Sequence, residues 1–445
     1  MRTKAISTIF LILITIIAHS QDLSLDYCLT LATQQNLEIL SSKQNILAAE
    51  EVKKQAFSQY FPRIEGSFIG YKPMHPLLEL GIENIHNASL REQLYNLYFS
   101  QGAALGFPNT IDLADGGLQI GITLLQPIFV GGQIINGNHL AHIGIEASKL
   151  QNKIKQRDLA LQIEENYWLI KSLEEKEKTL IQAQKLINTL LYDIEGAIEA
   201  GFATKNDKLK IQIKQQELAN GLLQIKNGKI LATKALCNTL QINYSPQIQL
   251  TDSIPPHTPI LIEKQTEELV LHRPESKLLT LKENSIALQQ KIELGKTFPQ
   301  LIGGISTGYG NLLTTPYNYN LLAFLTLKIP ISQWWESAHK HKQHNHLAQQ
   351  ASLETQHYID QMGLEIEQLK LQLSETENRL DLQKMIVTDA RNNYETAQME
   401  YKVGKTTLTQ LLEAETLYRQ AIDQEVAQKI TYRITYKKLQ YILQE

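Results

Sequence analysis

Four histidines lie close together near residue 340 and form the densest group of side chains that could bind a metal ion. They are His339, His341, His344 and His346. On a helix, this spacing spreads the imidazoles around the axis, and the i, i+4 pair that is typical of helical zinc sites is missing. Lysines and a glutamine lie between them, as on a solvated helix face. We therefore predict neither a metal site nor a cofactor.

No other group of residues predicts a chemical reaction. Gly303, Gly304, Gly308 and Gly310 lie in a strand-like segment that does not open a helix, which disfavours a phosphate-binding loop. Carboxylates are spread along helix faces, and no nucleophile, base and orienting residue form a recognisable set. We therefore expect that the protein is not an enzyme.

The bulk composition narrows the class of protein further. Charged residues make up 20% of the chain and the formal net charge is −3, so the basic excess of a nucleic-acid-binding protein is absent. Residues 1–20 have the basic start, short apolar run and small-residue ending of a signal peptide. Cys28 and Cys237 are the only cysteines. An exported chain can form a disulfide, but two free, packed thiols are the favoured interpretation.

An internal repeat organises the chain. The pair Phe61-Pro62 recurs as Phe298-Pro299 at an offset of 237 residues, and Pro127-Ile128 recurs as Pro330-Ile331 at an offset of 203. The first copy therefore carries 34 additional residues between these two markers, in a segment rich in glycine, proline and asparagine.

The predicted domain order follows from the repeat. The first repeat is expected over residues 21–242, with a long loop at about 73–117. A linker follows over 243–262, and the second repeat occupies 263–445. Each repeat is predicted to contain a helix, two strands, a very long helix, a short tip and a returning helix.

The long helices are expected over residues 128–200 and 331–403, because neither stretch contains a proline. At 1.5 Å per residue, each would be roughly 110 Å long, and apolar residues at heptad spacing favour coiled-coil packing. The tips are predicted at 201–207 and 404–410. Gly201 and Gly404 would end the long helices, and Thr204 and Thr407 would cap the returning helices.

Four segments of about ten residues alternate in polarity, two after each Phe-Pro pair. In the second repeat they are expected at about 299–310 and 319–330. Alternation alone fits a soluble hairpin, but this exported chain of long helices offers nowhere to bury two isolated hairpins. Four strands cannot close a membrane barrel, for which about eight are needed, so several chains must pool their strands. Two chains and three chains both satisfy this count.

Aromatic residues follow two of these predicted strands. Phe129 comes after the second strand, and Trp334 and Trp335 come after the last one. Such residues are typical of a membrane–water interface. The alternative interpretation is simple packing of the tryptophans against the start of the helix.

In this order and spacing, the features resemble the TolC family of outer-membrane efflux proteins over essentially the whole mature chain. The resemblance is carried by residues 23–32, Phe61-Pro62, residues 126–133 and residues 403–407. It implies a mainly α fold with a small membrane β part. Three chains would form a 12-stranded outer-membrane β-barrel and a periplasmic α-barrel of long antiparallel coiled-coil hairpins.

The resemblance also implies a function and partners. The homotrimer would be the exit duct of a tripartite efflux or type I secretion system, for passive export of small molecules or polypeptides. It would contact outer-membrane lipid, a periplasmic adaptor, and an inner-membrane pump or ABC transporter. The turns Gly201 to Thr204 and Gly404 to Thr407 would be the tips to which the adaptor docks.

Matched to the family's motif, four residues would line the pore constriction: Asp207, Tyr401, Gln410 and Glu413. Thr406 stands where an arginine is expected, and Gln410 replaces an acid, so salt-bridged closure and strong cation selection are both in doubt. Three copies of Glu413 would still favour cations. Alternatively, Glu413 belongs to a solvated helix face, and Asp207 is an acid at a helix start.

A second class of function stays open at this point. A periplasmic coiled-coil scaffold or adaptor would use the same hairpins without entering lipid. It would be extracted without detergent, whereas a barrel would not.

Overall fold

The computed structural model describes residues 22–72, 74, 78–102, 110–113, 117–254, 265–310 and 318–444. The predicted signal peptide, parts of the predicted loop and residues 255–262 of the predicted linker lie outside these residues. The described chain divides into two units. We call the one within 1–47, 146–281 and 352–445 the helical unit, and the one within 48–145 and 282–351 the sheet unit.

Helices dominate the order of elements, and strands separate them at several places. The first part of the chain contains β1 (Asp22–Leu23), α1 (Leu25–Gln35), α2 (Leu37–Ser58), β2 (Arg63–Tyr71), β3 (Leu78–Gly81), α3 (Ala88–Leu97), β4 (Thr110–Leu113), β5 (Gly117–Phe129), α4 (Gln133–Glu199), α5 (Lys205–Leu240) and β6 (Gln249–Leu250). The second part contains α6 (Thr266–His272), α7 (Pro274–Gly295), β7 (Gln300–Gly310), β8 (Asn318–Lys328), α8 (Gln333–Lys402) and α9 (Leu408–Gln444).

The two very long helices are present, but both begin later than the sequence predicts. Helix α4 begins at Gln133 instead of residue 128, because β5 continues to Phe129 and two glycines then turn the chain. Gly131 and Gly132 have φ angles of +64° and +76°, which glycine adopts readily. Helix α8 begins at Gln333 instead of residue 331, because a turn follows Pro330, in which the Gln333 N–H donates to the Pro330 carbonyl at 3.2 Å.

Four strands form one antiparallel sheet in the order β2-β5-β7-β8. The two strands of each repeat are therefore neighbours, and β5 joins β7 across the repeats. The sheet is regular, with one register shift near Pro127. Strands β2 and β8 lie at its edges.

The segment predicted as a long loop contains ordered elements. Strands β3 and β4 pair as an antiparallel hairpin, and helix α3 lies between them in sequence. The Asn87 side chain accepts hydrogen bonds from the backbone N–H groups of Ser89 and Leu90 at the start of this helix. Helix α3 forms in a stretch of this segment without glycine or proline, residues 88–97, and these residues have ordinary helix propensity.

Apolar side chains on facing helices build the core of the helical unit. Near the tips, one cluster contains buried residues of α4, α5, α8 and α9, including Ile187, Ile211, Ala397 and Leu411. Farther from the tips, a second cluster surrounds Tyr167 and Trp168. Ile187 belongs to the heptad series of apolar residues in α4, so coiled-coil packing accounts for this part of the core.

The amino-terminal segment is fastened to the helical unit by hydrogen bonds. Strand β1 pairs in parallel with β6. An Asp252 carboxylate oxygen accepts from the Leu25 N–H at 2.7 Å and from the Tyr167 hydroxyl at 3.0 Å. Asp252 thereby satisfies a free N–H at the start of α1 from outside that helix.

Both cysteines are buried and free in this structure. Burial raises the pKa of Cys28 to about 12, which makes its thiol a poor nucleophile. The structure therefore has the two packed thiols that the sequence favours. Among the described residues, no helix combines the length and the apolarity needed to cross a lipid bilayer.

Candidate functional site: two helix tips and an amphipathic sheet

The first tip joins α4 to α5 through a tight turn that is held by backbone hydrogen bonds. Gly201 has a φ of +80°, and the Phe202 N–H donates to the Ala197 carbonyl at 2.8 Å, as in a Schellman motif. Thr204 then caps α5, because its hydroxyl oxygen accepts from the Asp207 N–H at 3.2 Å. The predicted break at Gly201 and the predicted cap at Thr204 are both present.

Asp207 completes a capping box at this tip. Its carboxylate accepts from the Thr204 N–H at 3.1 Å and from the Thr204 hydroxyl at 2.6 Å. These bonds hold the pKa of Asp207 below its ordinary value. The carboxylate is thus used at the helix start, and its role in a pore constriction stays a prediction.

The second tip repeats this geometry with a neutral side chain. Gly404 has a φ of +74°, and the Lys405 N–H donates to the Glu400 carbonyl at 2.8 Å. The Gln410 side-chain oxygen accepts from the Thr407 N–H at 3.0 Å, and the Thr407 hydroxyl oxygen accepts from the Gln410 N–H at 3.3 Å. The Thr406 hydroxyl also donates to Gln410, at 2.7 Å. Thr406 and Gln410 therefore stabilise the helix start.

The other two predicted pore residues lie beside the tips. Tyr401 is partly buried against the core near the tips. Burial raises the pKa of its hydroxyl, and the carboxylates of Asp207 and Asp193 raise it further. Glu413 is exposed on α9 and lines a groove between α5 and α9. The structure thus brings Tyr401 near Asp207 and leaves Glu413 open to solvent.

Two lysines of α5 also belong to this region, and sequence reasoning missed both. The Lys210 ammonium donates to the Thr409 hydroxyl at 3.0 Å, which joins the two returning helices. Lys214 lies one turn farther along and pairs with Glu217 of its own helix at 3.5 Å. Their i, i+4 spacing was a signal that they share a helix face, but it did not show what that face meets.

One face of the sheet is apolar and exposed. Adjacent strands align its side chains in rows, such as Phe68, Ile120, Tyr309 and Tyr319. The exposed fraction is 71% for Phe68, 76% for Leu321 and 85% for Tyr319. In a water-soluble sheet the apolar face normally packs on a core and is shielded from solvent. In this sheet the apolar side chains are instead the exposed ones.

On the two central strands, β5 and β7, the other face is mainly polar or glycine and is more shielded. The Thr123 and Ser306 hydroxyls are hydrogen-bonded at 2.9 Å across β5 and β7. Gly304 leaves space that the Phe324 ring fills, because a Cβ atom at Gly304 would clash with that ring. Glycine at this position therefore makes room for the Phe324 ring on this face.

The predicted interface aromatics lie at the end of β5 and at the start of α8. Phe129 is the last residue of β5, whereas Trp334 and Trp335 lie in the first turn of α8, so none of them follows a strand directly as a loop residue. Trp335 is 69% exposed. The Trp334 indole N–H donates to the Thr297 carbonyl at 3.0 Å, which supports the packing interpretation for that residue, and its place in an interface belt stays a prediction.

The histidine cluster lies in α8. The ring of His341 is hydrogen-bonded to Gln290 of α7 at 3.1 Å, whereas His339 and His346 are exposed. Within the described ranges, no three histidine, cysteine, aspartate or glutamate side chains come together as a possible metal site.

Comparison with known proteins finds two kinds of similarity, one in sequence and one in fold. Residues 287–443 match the sequence model of the outer membrane efflux protein family, which confirms the predicted resemblance through the second repeat. No curated protein matches the chain.

Solved structures extend the likeness to nearly the whole chain. CusC, which forms a transmembrane channel, matches with a TM-score of 0.77 at 12% identity over 95% of this chain and 92% of its own. The CmeC outer membrane channel of Campylobacter jejuni matches with a TM-score of 0.74 at 16% identity, over 93% and 84%. The outer membrane protein VceC of Vibrio cholerae matches with a TM-score of 0.72 at 14% identity, over 94% and 95%. The mainly helical fold with a few strands is therefore that of these channels.

Proposed function

We propose that this chain is one protomer of a passive outer-membrane export duct, in which three copies pool twelve strands and enclose one pore. The family match and the shared fold support the predicted location in the outer membrane with an extension into the periplasm. The trimer, the closed barrel and passive transport are the finer parts of this proposal.

The inverted polarity of the sheet is the observation that carries the proposal. Its exposed apolar face contains Leu321 and Phe68, while on β5 and β7 the opposite face consists mainly of hydroxyl, amide and glycine groups. Exposing the apolar face to water would be costly, at about 25 cal/mol per Å². Lipid removes that cost, and the polar face then borders an aqueous lumen.

The two edges of the sheet explain why copies must assemble. Strands β2 and β8 end the sheet order among the described residues. In lipid, backbone N–H and C=O groups at an open edge would each cost several kcal/mol. Pairing β8 of one copy with β2 of the next satisfies both edges, and repeating this step three times gives twelve strands.

The tips supply surfaces for a periplasmic adaptor, which would couple the duct to an inner-membrane pump or ABC transporter. Phe202 is 90% exposed at the first tip, and Lys405 is exposed at the second. We expect Phe202→Ser and Lys405→Ser to reduce export by living cells while leaving the conductance of the purified channel unchanged. A conductance change of the same size as the export loss would contradict this division of roles.

Planar lipid bilayers provide the test of the whole proposal. The detergent-purified mature chain should insert, give uniform conductance steps, and have a trimeric mass by native mass spectrometry. A chain that stays in solution without detergent, remains monomeric and conducts no ions would instead fit a periplasmic scaffold, and the channel proposal would be refuted.

A further inference from the structure

A groove of about 560 Å³ lies between residues 210–214 of α5 and 409–417 of α9, beside the two tips. Leucines line part of it, including Leu412 and Leu417. Three charged side chains line the rest: Lys210 and Lys214 from α5 and Glu413 from α9. Glu413 is therefore not an isolated acid on its helix, because two cationic groups share its groove.

Hydrogen bonds and sequence spacing fix the two lysines on this side of α5. The ammonium group of Lys210 donates to the Thr409 hydroxyl at 3.0 Å, one turn before Glu413 on α9. Lys214 follows Lys210 at i+4, so it lies on the same helix face. Its ion pair with Glu217 is long, at 3.5 Å, and Glu217 is largely exposed, so this pair cancels little of the charge of Lys214. The buried carboxylate of Glu415 on α9 also interacts with Lys214, but it is paired with Arg419 at 3.6 Å as well, which offsets its charge.

Asp207 belongs to the same charge group. It lies one turn before Lys210 on α5, and the positive charge of Lys210 helps to lower the pKa of Asp207. The four side chains therefore comprise two carboxylates and two ammonium groups. At neutral pH their formal charges sum to zero in each protomer.

We propose that Lys210 and Lys214 compensate the charges of Glu413 and Asp207 at the entrance, so that the channel discriminates only weakly between cations and anions. This inference rests on the proposed function, because it concerns the lumen of the duct. Its geometric basis is the shared groove: an aqueous path that reaches the Glu413 carboxylate also reaches both lysines. The positive charges of the lysines then largely cancel the electric field that the ring of acids would exert on a passing ion.

The consequence concerns the class of cargo. A constriction ringed only by acids repels anionic solutes and concentrates cationic ones. A compensated constriction does neither, so neutral and zwitterionic compounds, and ions of both signs, would pass on the basis of size. Lys210 and Lys214 are thus specificity-determining residues, because removing their charges converts the entrance into an acidic ring.

Reversal potentials across a potassium chloride gradient provide the test, with the full mature chain in planar bilayers. The wild-type permeability ratio of K⁺ to Cl⁻ should lie near unity. In the double variant Lys210→Gln/Lys214→Gln the ratio should rise by roughly threefold or more, because the acids are left uncompensated. Glutamine keeps a donor for Thr409, so the helix contact survives. Glu413→Gln should move the ratio in the opposite direction.

Lys226→Gln is the matched control, since Lys226 is an exposed lysine of α5 outside the groove. Its permeability ratio should equal that of the wild type. A strongly cation-selective wild-type channel, or a double variant with an unchanged ratio, would overturn the charge compensation while leaving the duct intact. If none of the four proteins conducts, the proposed pore itself fails, and this inference fails with it.

Discussion

Two adjacent leucines of β8 test which face of the sheet meets lipid. Leu321 lies on the apolar face and is 76% exposed, while Leu322 lies on the opposite face and is 61% exposed. The residues have the same side chain, the same strand and nearly the same depth. Replacing each by arginine therefore isolates the effect of the face.

The magnitude follows from the position of Leu321 in the strand. It lies two residues from Ala323 at the centre of β8, or about 7 Å along the strand. An arginine facing lipid costs about 2–4 kcal/mol at the bilayer midplane and less toward the interfaces, so we expect about 2–3 kcal/mol per chain. That corresponds to a roughly 30- to 150-fold change in a folding equilibrium. Leu322→Arg faces the aqueous side and should cost less than about 1 kcal/mol.

Folding from urea into short-chain lipid vesicles measures this difference. The folded fraction of unheated samples on a gel, followed against urea, should have a much lower midpoint for Leu321→Arg than for Leu322→Arg. Leu321→Ala serves as the control for losing the apolar side chain without adding a charge. Equal midpoints for the two arginine variants, or a lower midpoint for Leu322→Arg, would refute the assignment of the apolar face to lipid.

Three further predictions concern the tips, the double-glycine turn after β5 and the amino-terminal segment. The pKa of Asp207 in the folded protein lies below the ordinary aspartate pKa of 3.8. The first capping box should therefore be intact above pH 3.8, and it should be lost as the pH falls through the lowered pKa of Asp207. Hydrogen exchange at residues 205–208 should then accelerate relative to residues 408–411, because Gln410 does not titrate, and equal acceleration at both tips would contradict this. Gly131→Ala should destabilise the protein more than Gly132→Ala by thermal unfolding, because both have positive φ but only at Gly131 would a Cβ atom collide with the Gly295 carbonyl; similar losses would count against the close approach. Asp252→Asn should cost about 1.5–3 kcal/mol, the value of a hydrogen bond to a charged group, seen as faster exchange of the Leu25 amide, and unchanged exchange would show that Asp252 does not hold α1.

The regular parts of the fold could be predicted from sequence because they depend on periodicity. The heptad series in both long helices predicts which residues are buried, and Ile187, Ile366 and Leu380 are indeed among the most buried side chains. Alternating polarity similarly predicts the apolar face of β5 and β8. In both cases the signal repeats many times along the chain, so a single irregular residue does not obscure it.

The boundaries of α4 were harder to predict because they depend on single residues. Pro127 and Ile128 belong to β5, although a proline usually weakens a strand. The double glycine at 131 and 132 then forms the turn. The absence of proline after residue 127 indicated where a helix was allowed, but not where it begins.

The lateral neighbours of the tips could not be predicted at all. Lys210 and Thr409 are 199 residues apart and belong to different repeats. Periodicity assigns each residue to a face of its own helix, but it does not specify which helix lies opposite. That pairing depends on how the two hairpins pack, and hence on the large set of contacts that builds the core near the tips.

The two capping boxes indicate how structural and transport roles are divided at the tips. Thr204 with Asp207 and Thr407 with Gln410 make the same reciprocal bonds, although one pair is charged and the other is neutral. The cap therefore requires an acceptor at this position, not a charge. An acidic side chain at position 410 would also cap α9, so helix capping does not explain why this residue is neutral. Glutamine at this position leaves the entrance with one negative charge fewer per chain than an acid would. The two lysines beside Glu413 reduce the net negative charge of the entrance further.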